Sequence, residues 1–218
     1  MCSRFSLVTT KEVLESEFNI TIHHSLRQSY NIAPTHHAYI ITNDSQGRIQ
    51  YVTWGLIPSW SKDGRNTGKL INARCEGITS QTSFRIPVRR QRCLVLADSY
   101  YTWVKKGGQQ IPFRVKLKEK NLMAMGGIWD VWYKGDYAMK SFSIITIPAN
   151  EKHQQLNNRM PLILPNEEAQ QKWLNQLKLE ELNQMFRPLE NTSLEMYQIS
   201  EKINSINHNS NELHKLVS

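Results

Sequence analysis

The sequence has few of the features that mark several large classes of proteins. Its 218 residues include three cysteines, Cys2, Cys75 and Cys93, and these are far apart. An odd number of scattered cysteines excludes a disulfide framework and supplies no metal-ligand cluster. No apolar run approaches the roughly 18 residues that a membrane span needs, and the start lacks the basic and then apolar pattern of a signal peptide. We therefore expect a cytoplasmic protein that binds neither a metal nor a membrane.

Sequence motifs of the common cofactor-dependent enzymes are absent as well. The chain contains no P-loop, no glycine fingerprint of dinucleotide-binding proteins, no Gly-x-Ser-x-Gly elbow and no zinc pattern. We therefore expect no cofactor. Cys93 lies in an apolar run that predicts a buried strand, and no neighbour in the sequence activates Cys75. Cys2 is the one cysteine for which a chemical role can be argued.

Basic and aromatic residues, in contrast, are plentiful. The chain has 27 Lys and Arg against 19 Asp and Glu, a net charge of +8 at pH 7, six tryptophans and eight tyrosines. This balance favours a polyanionic partner such as nucleic acid. Aromatic rings near arginines are suited to stacking on the bases of a single strand. A basic surface over an aromatic core explains the same numbers, so composition alone leaves both interpretations open.

Local patterns predict an α+β fold. Residues 38–54 are typical of a β-hairpin around a polar turn, and β-rich segments continue between 93 and 148. A Thr-x-x-Glu signal that starts at Thr9 predicts a helix over 10–18, and further helices are predicted after residue 150. With no repeats and no break in composition, we expect a single domain with a curved, mostly antiparallel β core and peripheral helices. The Asn- and Ser-rich residues 203–218 are expected to form a mobile tail.

Cys2 becomes chemically special only if Met1 is removed. The chain would then begin with a 1,2-aminothiol, whose amine condenses with an aldehyde to an imine. The thiol then closes on the imine carbon to give a five-membered thiazolidine. The unperturbed amine has a pKa of about 7.7–8.0, so a useful fraction is neutral near pH 7. A thiol with a pKa of about 8.5 needs only modest help to become a thiolate. Most cysteines at position 2 have no such role, so the hypothesis depends on the rest of the chain.

Short motifs rich in Arg, Trp, Asn and Pro follow one another from residue 2 to about residue 165. In chain order they are Cys2-x-Arg4-Phe5, Tyr30-Asn31-Ile32-Ala33-Pro34, Trp54-Gly55-Leu56-Ile57-Pro58-x-Trp60, Ile71-Asn72-Ala73-Arg74-x-Glu76, Ser83-Phe84-Arg85, Arg92-Cys93-Leu94, Ala97-Asp98, Tyr101-x-Trp103 and Arg159-Met160-Pro161-x-Ile163-Leu164. In this order they resemble the SRAP family of abasic-site processing proteins. Chance does not place so many motifs in one order.

The resemblance implies an activity, a partner and a set of site residues. Members of that family lose the initiator methionine, bind single-stranded DNA, and link the amino-terminal cysteine to the ring-opened aldehyde of an abasic site. The position that matches Asn72 contacts the sugar remnant and helps to hold the adduct. Other matching positions line the path of the DNA strand. Those that line a positive channel for the phosphates are Arg4, Arg74, Arg85 and Arg159, and those that shape the strand's path or its bend at the lesion are Pro34, Trp60 and Trp103. We therefore expect a monomer that binds single-stranded DNA with abasic sites and joins the nucleoid when DNA is damaged.

Two positions depart from the pattern of the resembled family. Thr102 stands where the motif Tyr-Glu-Trp has its glutamate, and Asn157 stands where His-x-Arg-Met-Pro has its histidine. Both replaced residues serve the family as proton-transfer groups. Thr and Asn do not titrate near neutral pH, so general acid–base help worth roughly 10²–10⁴-fold is missing at these positions. His153 lies about one helical turn before Asn157 and is a candidate substitute.

Three hypotheses follow from the sequence. The first is an enzyme that crosslinks abasic DNA through Cys2, with lyase-type and autopeptidase activity, more slowly and less reversibly than the proteins it resembles. The second is a degenerate member that binds single-stranded DNA without chemistry. The third is a peptidase that uses Cys2 as an amino-terminal nucleophile on other proteins, which the basic, aromatic-rich composition disfavours.

Overall fold

β-strands make up most of the structure, a computed structural model that describes residues 2–65 and 68–217. The strands are β1 (Arg4–Leu7), β2 (Ser29–Ile32), β3 (His37–Thr42), β4 (Ile49–Trp54), β5 (Asn72–Arg74), β6 (Arg92–Ala97), β7 (Ser99–Lys106), β8 (Gln109–Leu117), β9 (Met123–Lys134), β10 (Tyr137–Pro148), β11 (Arg159–Pro161), β12 (Ile163–Leu164) and β13 (Leu194–Gln198). The α-helices are α1 (Lys11–Phe18), α2 (Pro87–Arg90), α3 (Glu151–Gln154), α4 (Glu167–Leu174) and α5 (Leu179–Met185). In the part of the chain that is described, no helix has the length and apolar character needed to cross a membrane.

Strands β3, β4, β6, β9 and β10 close into a barrel. Strand β3 pairs with β4 and β6, and β9 pairs with β6 and β10. The ring closes where β10 runs parallel to β4, at the pairs Ser141–Thr53 and Phe142–Trp54. Strand β5 also pairs with β10, in parallel. Strand β6 is buried at every position, which confirms the buried strand predicted around Cys93.

The amino-terminal strand β1 is an inner strand of a second sheet, whose order is β13-β8-β7-β1-β2. Phe5 of β1 lies opposite Tyr100 of β7 and Ile32 of β2. The ring of Phe5 also packs edge-on against Trp54 of the barrel, with the ring centroids 5.0 Å apart, and both side chains are fully buried. Strand β1 is therefore fixed on both edges and one face, and it holds Cys2 against the barrel.

The α+β class and the mostly antiparallel β core with peripheral helices are confirmed. The predicted hairpin at 38–54 is formed by β3 and β4. The predicted helix at 10–18 is α1, but its N-cap is Thr10, whose hydroxyl accepts a hydrogen bond from the Val13 N–H at 3.4 Å. The expected cap signal at Thr9 was therefore shifted by one residue.

The carboxy-terminal segment, expected to be a mobile tail, is packed against the second sheet. Ile203 and Leu213 are fully buried there. The Asn31 side-chain amide donates to the backbone carbonyls of Ser205 at 2.9 Å and His208 at 2.8 Å. Two contributions therefore hold this polar segment in place. Ile203 and Leu213 anchor it by burial, and the Asn31 side chain satisfies several of its carbonyl groups. Composition alone does not reveal such an arrangement.

A buried polar cluster ties the same segment to β1 and β7. The Ser6 hydroxyl donates to the Asp98 carboxylate at 2.5 Å, and Arg114 donates to Asp98 at 3.3 Å and to the Ser99 hydroxyl at 2.8 Å. The His214 Nε2 lies 3.2 Å from the Ser6 hydroxyl. These five residues, Ser6, Asp98, Ser99, Arg114 and His214, form what we call the paired cluster, because its charged and polar groups satisfy one another.

Candidate active site around Cys2

Cys2 lies two residues before the start of β1 and is held against the barrel by Asn72. The Asn72 side-chain amide donates to the Cys2 carbonyl oxygen at 2.7 Å. Asn72 begins β5 and is opposite Ile144 of β10, so a barrel strand fixes its position. Cys2 itself is only 2% exposed. The structure thus brings together two residues that sequence motifs 70 positions apart had singled out. Met1, whose removal is expected from the sequence, lies outside the described residues.

The thiol of Cys2 is protonated in this environment. Burial raises the pKa of the Cys2 thiol to about 12, because desolvation penalises the thiolate. The thiol donates a weak hydrogen bond to the Arg4 carbonyl oxygen, with a sulfur–oxygen distance of 3.8 Å. Nucleophilic use of this sulfur near neutral pH therefore needs a group that removes its proton.

The other two cysteines are separate from this site. Cys93 is fully buried in β6, and Cys75 is half-buried. Burial raises the pKa of the Cys75 thiol, and the neighbouring Glu76 carboxylate raises it further. Within residues 2–65 and 68–217, the His, Cys, Asp and Glu side chains form no group of three that could hold a metal ion.

Among the described residues, buried polar atoms without a partner occur on Asn72, which holds Cys2, on β7, which pairs with β1, and on His153, whose ring packs against Tyr100. They include the Asn72 Oδ1, the Tyr100 hydroxyl, the Thr102 hydroxyl and the His153 Nε2. We call these four residues the open cluster. Tyr100 and Thr102 are two residues apart on β7, so their side chains share one face of the strand. A buried polar atom left unpaired costs about 1–3 kcal/mol, so a group of them beside a cysteine indicates a place for a ligand or water.

His153 presents a free nitrogen with a defined protonation state. The Asn150 side chain caps α3 by accepting from the His153 backbone N–H at 2.8 Å. The His153 Nδ1 lies 3.0 Å from the Asn157 carbonyl oxygen, which can only accept, so Nδ1 carries the hydrogen. Burial lowers the pKa of His153, so the ring is neutral at pH 7 and its Nε2 holds a basic lone pair.

Tyr100 joins His153 to Cys2. The rings of Tyr100 and His153 are 5.8 Å apart between centroids and tilted by 31°. Burial raises the pKa of Tyr100 well above its usual range, and the nearby Cys2 thiol raises it further. Tyr100 is therefore a protonated hydroxyl within electrostatic reach of the cysteine. No sequence motif pointed to Tyr100 as a site residue, although its alternation with Thr102 on β7 was a usable signal.

Thr102 and Asn157 differ in burial and in the contacts they make. Thr102 is 2% exposed, and its hydroxyl is unpaired. Asn157 is half-buried, and its side-chain oxygen accepts from the Arg159 backbone N–H at 3.0 Å. Since its own carbonyl also accepts from His153, Asn157 shapes the turn between α3 and β11 and orients the histidine ring.

The four arginines expected to line a DNA channel fall into two groups. Arg159 forms an ion pair with Glu76 and donates to the Thr146 carbonyl at 2.5 Å. Arg4 donates to the Asn31 side chain at 2.7 Å and to the carbonyl of Ile203 in the carboxy-terminal segment. Both guanidinium groups therefore have protein partners. The other two expected arginines are exposed, and they are Arg74 and Arg85.

The residues expected to shape the path of a strand also differ in exposure. Trp60 is 59% exposed, which is unusual for a tryptophan. Trp103 is half-buried, and its indole N–H donates to the Asn204 side chain at 2.9 Å. Pro34 is half-buried and precedes Thr35, which has a left-handed φ of 73°. Trp60 is thus the residue of the three with a ring face free for stacking.

The barrel, the flanking sheet and the buried amino-terminal cysteine held by an asparagine define a protein class built around a cysteine at position 2. The family model described as "SOS response associated peptidase (SRAP)" matches residues 1–206. The chain therefore belongs to the SRAP family.

Relatives and solved structures agree with this assignment. The chain is 36% identical over 221 residues to the abasic site processing protein YoqW of Bacillus subtilis, covering 98% of each chain. It is 29% identical to the abasic site processing protein HMCES of Gallus gallus, covering 85% of this chain and 65% of that protein. A crystal structure of a Bacteroides thetaiotaomicron protein superposes with a TM-score of 0.86 at 28% identity, covering 95% of this chain and 97% of that one. A Bordetella bronchiseptica protein with a TM-score of 0.79 and 20% identity shares the fold.

Proposed function

We propose that this protein processes abasic sites by forming a thiazolidine between Cys2 and the lesion in single-stranded DNA, after Met1 has been removed. The observation that carries the proposal is the Asn72 amide, which holds the Cys2 carbonyl at 2.7 Å. The names of YoqW and HMCES support the substrate class. The protein would act as a monomer in the cytoplasm, on the nucleoid when DNA is damaged.

The proposed reaction balances without a cofactor. Hydrolysis of the Met1–Cys2 peptide bond consumes one water and frees the Cys2 amine, through Cys2 itself or an aminopeptidase. The amine adds to the aldehyde carbon of the opened abasic sugar, and loss of one water leaves an imine. The Cys2 sulfur then bonds to the imine carbon, and the thiol proton moves to the imine nitrogen, which becomes the ring amine. Asn72 supports this sequence because it fixes the backbone of the reacting residue.

Binding of the DNA strand would rest on the exposed cations and on Trp60. Phosphate contacts position a strand without reading its sequence, and Arg74 and Arg85 are exposed and suited to that role. Trp60→Ala is expected to weaken binding of undamaged single-stranded DNA by about 1–3 kcal/mol, the usual value of one base–aromatic stack. Fluorescence anisotropy would measure it, with Tyr133→Ala as the control, because Tyr133 is also exposed, at 65%. Equal losses in both variants would contradict a specific stacking role.

The central experiment uses a single-stranded oligonucleotide with one abasic site. Protein whose intact mass shows Cys2 as the first residue is incubated with it, and the products are separated after heating in denaturant. We expect a shifted species whose mass equals protein plus DNA less one water, and Cys2→Ala should give none. If the wild-type protein with a verified Cys2 terminus forms no such species, the proposal is wrong.

A second candidate function is DNA binding without chemistry, and the raised pKa of the buried Cys2 thiol favours it. It predicts normal affinity for abasic DNA and no heat-stable adduct. The same experiment therefore separates the two candidates, once anisotropy has shown that the protein binds the oligonucleotide.

Slower formation and reversal of the crosslink are part of the proposal, because Thr102 and Asn157 cannot titrate. Thr102→Glu should speed formation by adding a carboxylate beside the cysteine. Asn157→His should speed release by adding a second titrating ring. Both rates can be followed by gel quantification, and unchanged rates in both variants would show that these positions do not limit the reaction.

A further inference from the structure

Two residues of the open cluster, Tyr100 and His153, can exchange protons or hydrogen bonds with a ligand at Cys2. The Tyr100 hydroxyl can donate a hydrogen bond and the His153 Nε2 can accept one, and neither atom has a partner within residues 2–65 and 68–217. Both side chains are at most 1% exposed, so water does not freely satisfy them. Their rings lie side by side at 5.8 Å.

We propose that His153 is the general base and Tyr100 the hydrogen-bond donor for thiazolidine formation at Cys2. This inference rests on the proposed function and assigns the proton-transfer roles within it. His153 would take the Cys2 thiol proton on its Nε2. Tyr100 would donate a hydrogen bond to the oxygen of the former aldehyde while the carbon–nitrogen bond forms.

The protonation states on the two rings suit these roles. The Asn157 carbonyl fixes the hydrogen of His153 on Nδ1, so the lone pair is on the nitrogen without a partner. Burial keeps the histidine neutral by lowering its pKa. Tyr100 stays protonated, because burial raises its pKa, and a fixed neutral donor in a buried place stabilises a developing oxyanion strongly.

Every proton in the reaction can be accounted for with these two residues and the substrate. The Cys2 amine attacks the aldehyde carbon, and an amine proton moves to the new oxygen, which Tyr100 holds. The second amine proton joins that hydroxyl, which leaves as water, and a neutral imine remains. His153 then takes the thiol proton, the Cys2 thiolate bonds to the imine carbon, and His153 passes the proton to the ring nitrogen. The two amine protons have ended in water and the thiol proton on the ring nitrogen, and both His153 and Tyr100 have returned to their starting states.

The two assigned roles predict different intermediates. His153→Gln should slow ring closure by about 10²-fold or more, the lower end for loss of a general base. An imine should accumulate, and borohydride should trap it as a stable amine. Tyr100→Phe should slow imine formation itself by about 10²-fold, the usual cost of one preorganised donor, with no accumulated imine. A merely structural role for either residue would slow both steps together.

Ser143→Ala is the matched control, because it also removes a buried hydroxyl without a partner, from β10. It should change neither step. Circular dichroism and the melting temperature of each variant show whether it is folded, and imidazole added to a folded His153→Ala variant should restore part of the ring-closure rate. If the wild-type protein forms the thiazolidine and both His153→Gln and Tyr100→Phe react at the wild-type rate, this inference is wrong while the proposed function stands. If the wild-type protein forms none, the proposed function itself fails.

Discussion

Two buried polar clusters lie on opposite faces of the same pair of strands, and their hydrogen bonding differs. In the paired cluster, Asp98 accepts from Ser6 and Arg114, and Arg114 also donates to Ser99. In the open cluster, Tyr100 and His153 each bury a polar atom without a partner. Cross-strand neighbours alternate between the two, since Ser6 is opposite Ser99 and Phe5 is opposite Tyr100.

The paired cluster stabilises the fold, whereas the open cluster has unpaired polar atoms that a ligand could satisfy. A satisfied network in a low-dielectric interior rigidifies its surroundings, and the paired cluster fastens β1, β7 and the carboxy-terminal segment. An unsatisfied set costs stability, and that cost is recovered only when a bound molecule supplies partners. The proposed function therefore places stability in the paired cluster and reactivity beside the open cluster, and each can be disturbed separately.

The largest expected effect comes from breaking the paired cluster at its centre. Asp98→Ala should lower the free energy of unfolding by about 3–5 kcal/mol, because it leaves the buried Arg114 charge unpaired. Arg114 and Asp98 side chains are only 12% and 8% exposed. Urea denaturation would measure the loss. Glu195→Ala is the control, since it removes an ion pair with Lys116 on the same sheet whose glutamate is 46% exposed, and it should cost at most about 1 kcal/mol.

Removing a hydroxyl from the paired cluster should have an intermediate effect. Ser6→Ala deletes the 2.5 Å hydrogen bond to Asp98, and hydrogen bonds to charged groups are worth about 1.5–3 kcal/mol. We expect a loss in that range by urea denaturation, with the unfolding m-value unchanged. A loss below about 0.5 kcal/mol would mean that the cluster is less tightly coupled than its geometry indicates.

The paired cluster should also make stability depend on pH through His214. The pKa of His214 is lowered to about 4, mainly by burial and also by the Arg114 charge, while the Asp98 carboxylate opposes this shift. The Tyr30 ring packs against the same imidazole at 4.8 Å. The folded chain therefore binds fewer protons than the unfolded chain between pH 4 and about 6.5, so stability falls as pH falls through this window.

The loss through His214 should reach about 1–2 kcal/mol, because partial contact with solvent reduces the full shift. Unfolding free energies measured at pH 7 and pH 5 would test this, with His214→Gln as the comparison. The variant should lose less stability than the wild-type protein over that interval. Equal pH dependence of the two proteins would assign the effect to other groups.

The smallest effect on stability is expected in the open cluster. Tyr100→Phe removes a hydroxyl that has no partner, so the free energy of unfolding should stay within about 0.5 kcal/mol of the wild-type value or rise. The melting temperature would report this. A large loss would show that the Tyr100 hydroxyl is satisfied in the folded protein, and the contrast between the two clusters would then disappear.

Much of the fold could be predicted from local sequence patterns. The hairpin at 38–54 followed from a polar turn between β-rich runs. The first helix followed from the capping signal at Thr9, although its N-cap is Thr10. The pairing of β1 with β7 could not be predicted, because it joins residues nearly 100 positions apart. The same is true of the packed segment around Leu213, whose anchors are spaced among polar residues.

Only the part of the candidate site that lies within recognisable motifs could be predicted from the sequence. Cys2 and Asn72 came from ordered motifs, and the structure joins them. The importance of Tyr100 depends on which buried atoms lack partners, and this is decided by three-dimensional packing. Asp98 belonged to a recognised motif, but its position at the centre of a hydrogen-bonded cluster emerged only from the fold.

The inner position of β1 has a consequence for engineering. Because this strand is held by β2 and β7 and packed on Trp54, the fold itself does not depend on a free amine at Cys2. A peptide fused ahead of Cys2 should therefore block its amine without disturbing the fold, and it could be removed later. Under the proposed function, a protease that cuts just before Cys2 would free the amine of the folded protein and start its reaction with aldehydes in DNA at a chosen time.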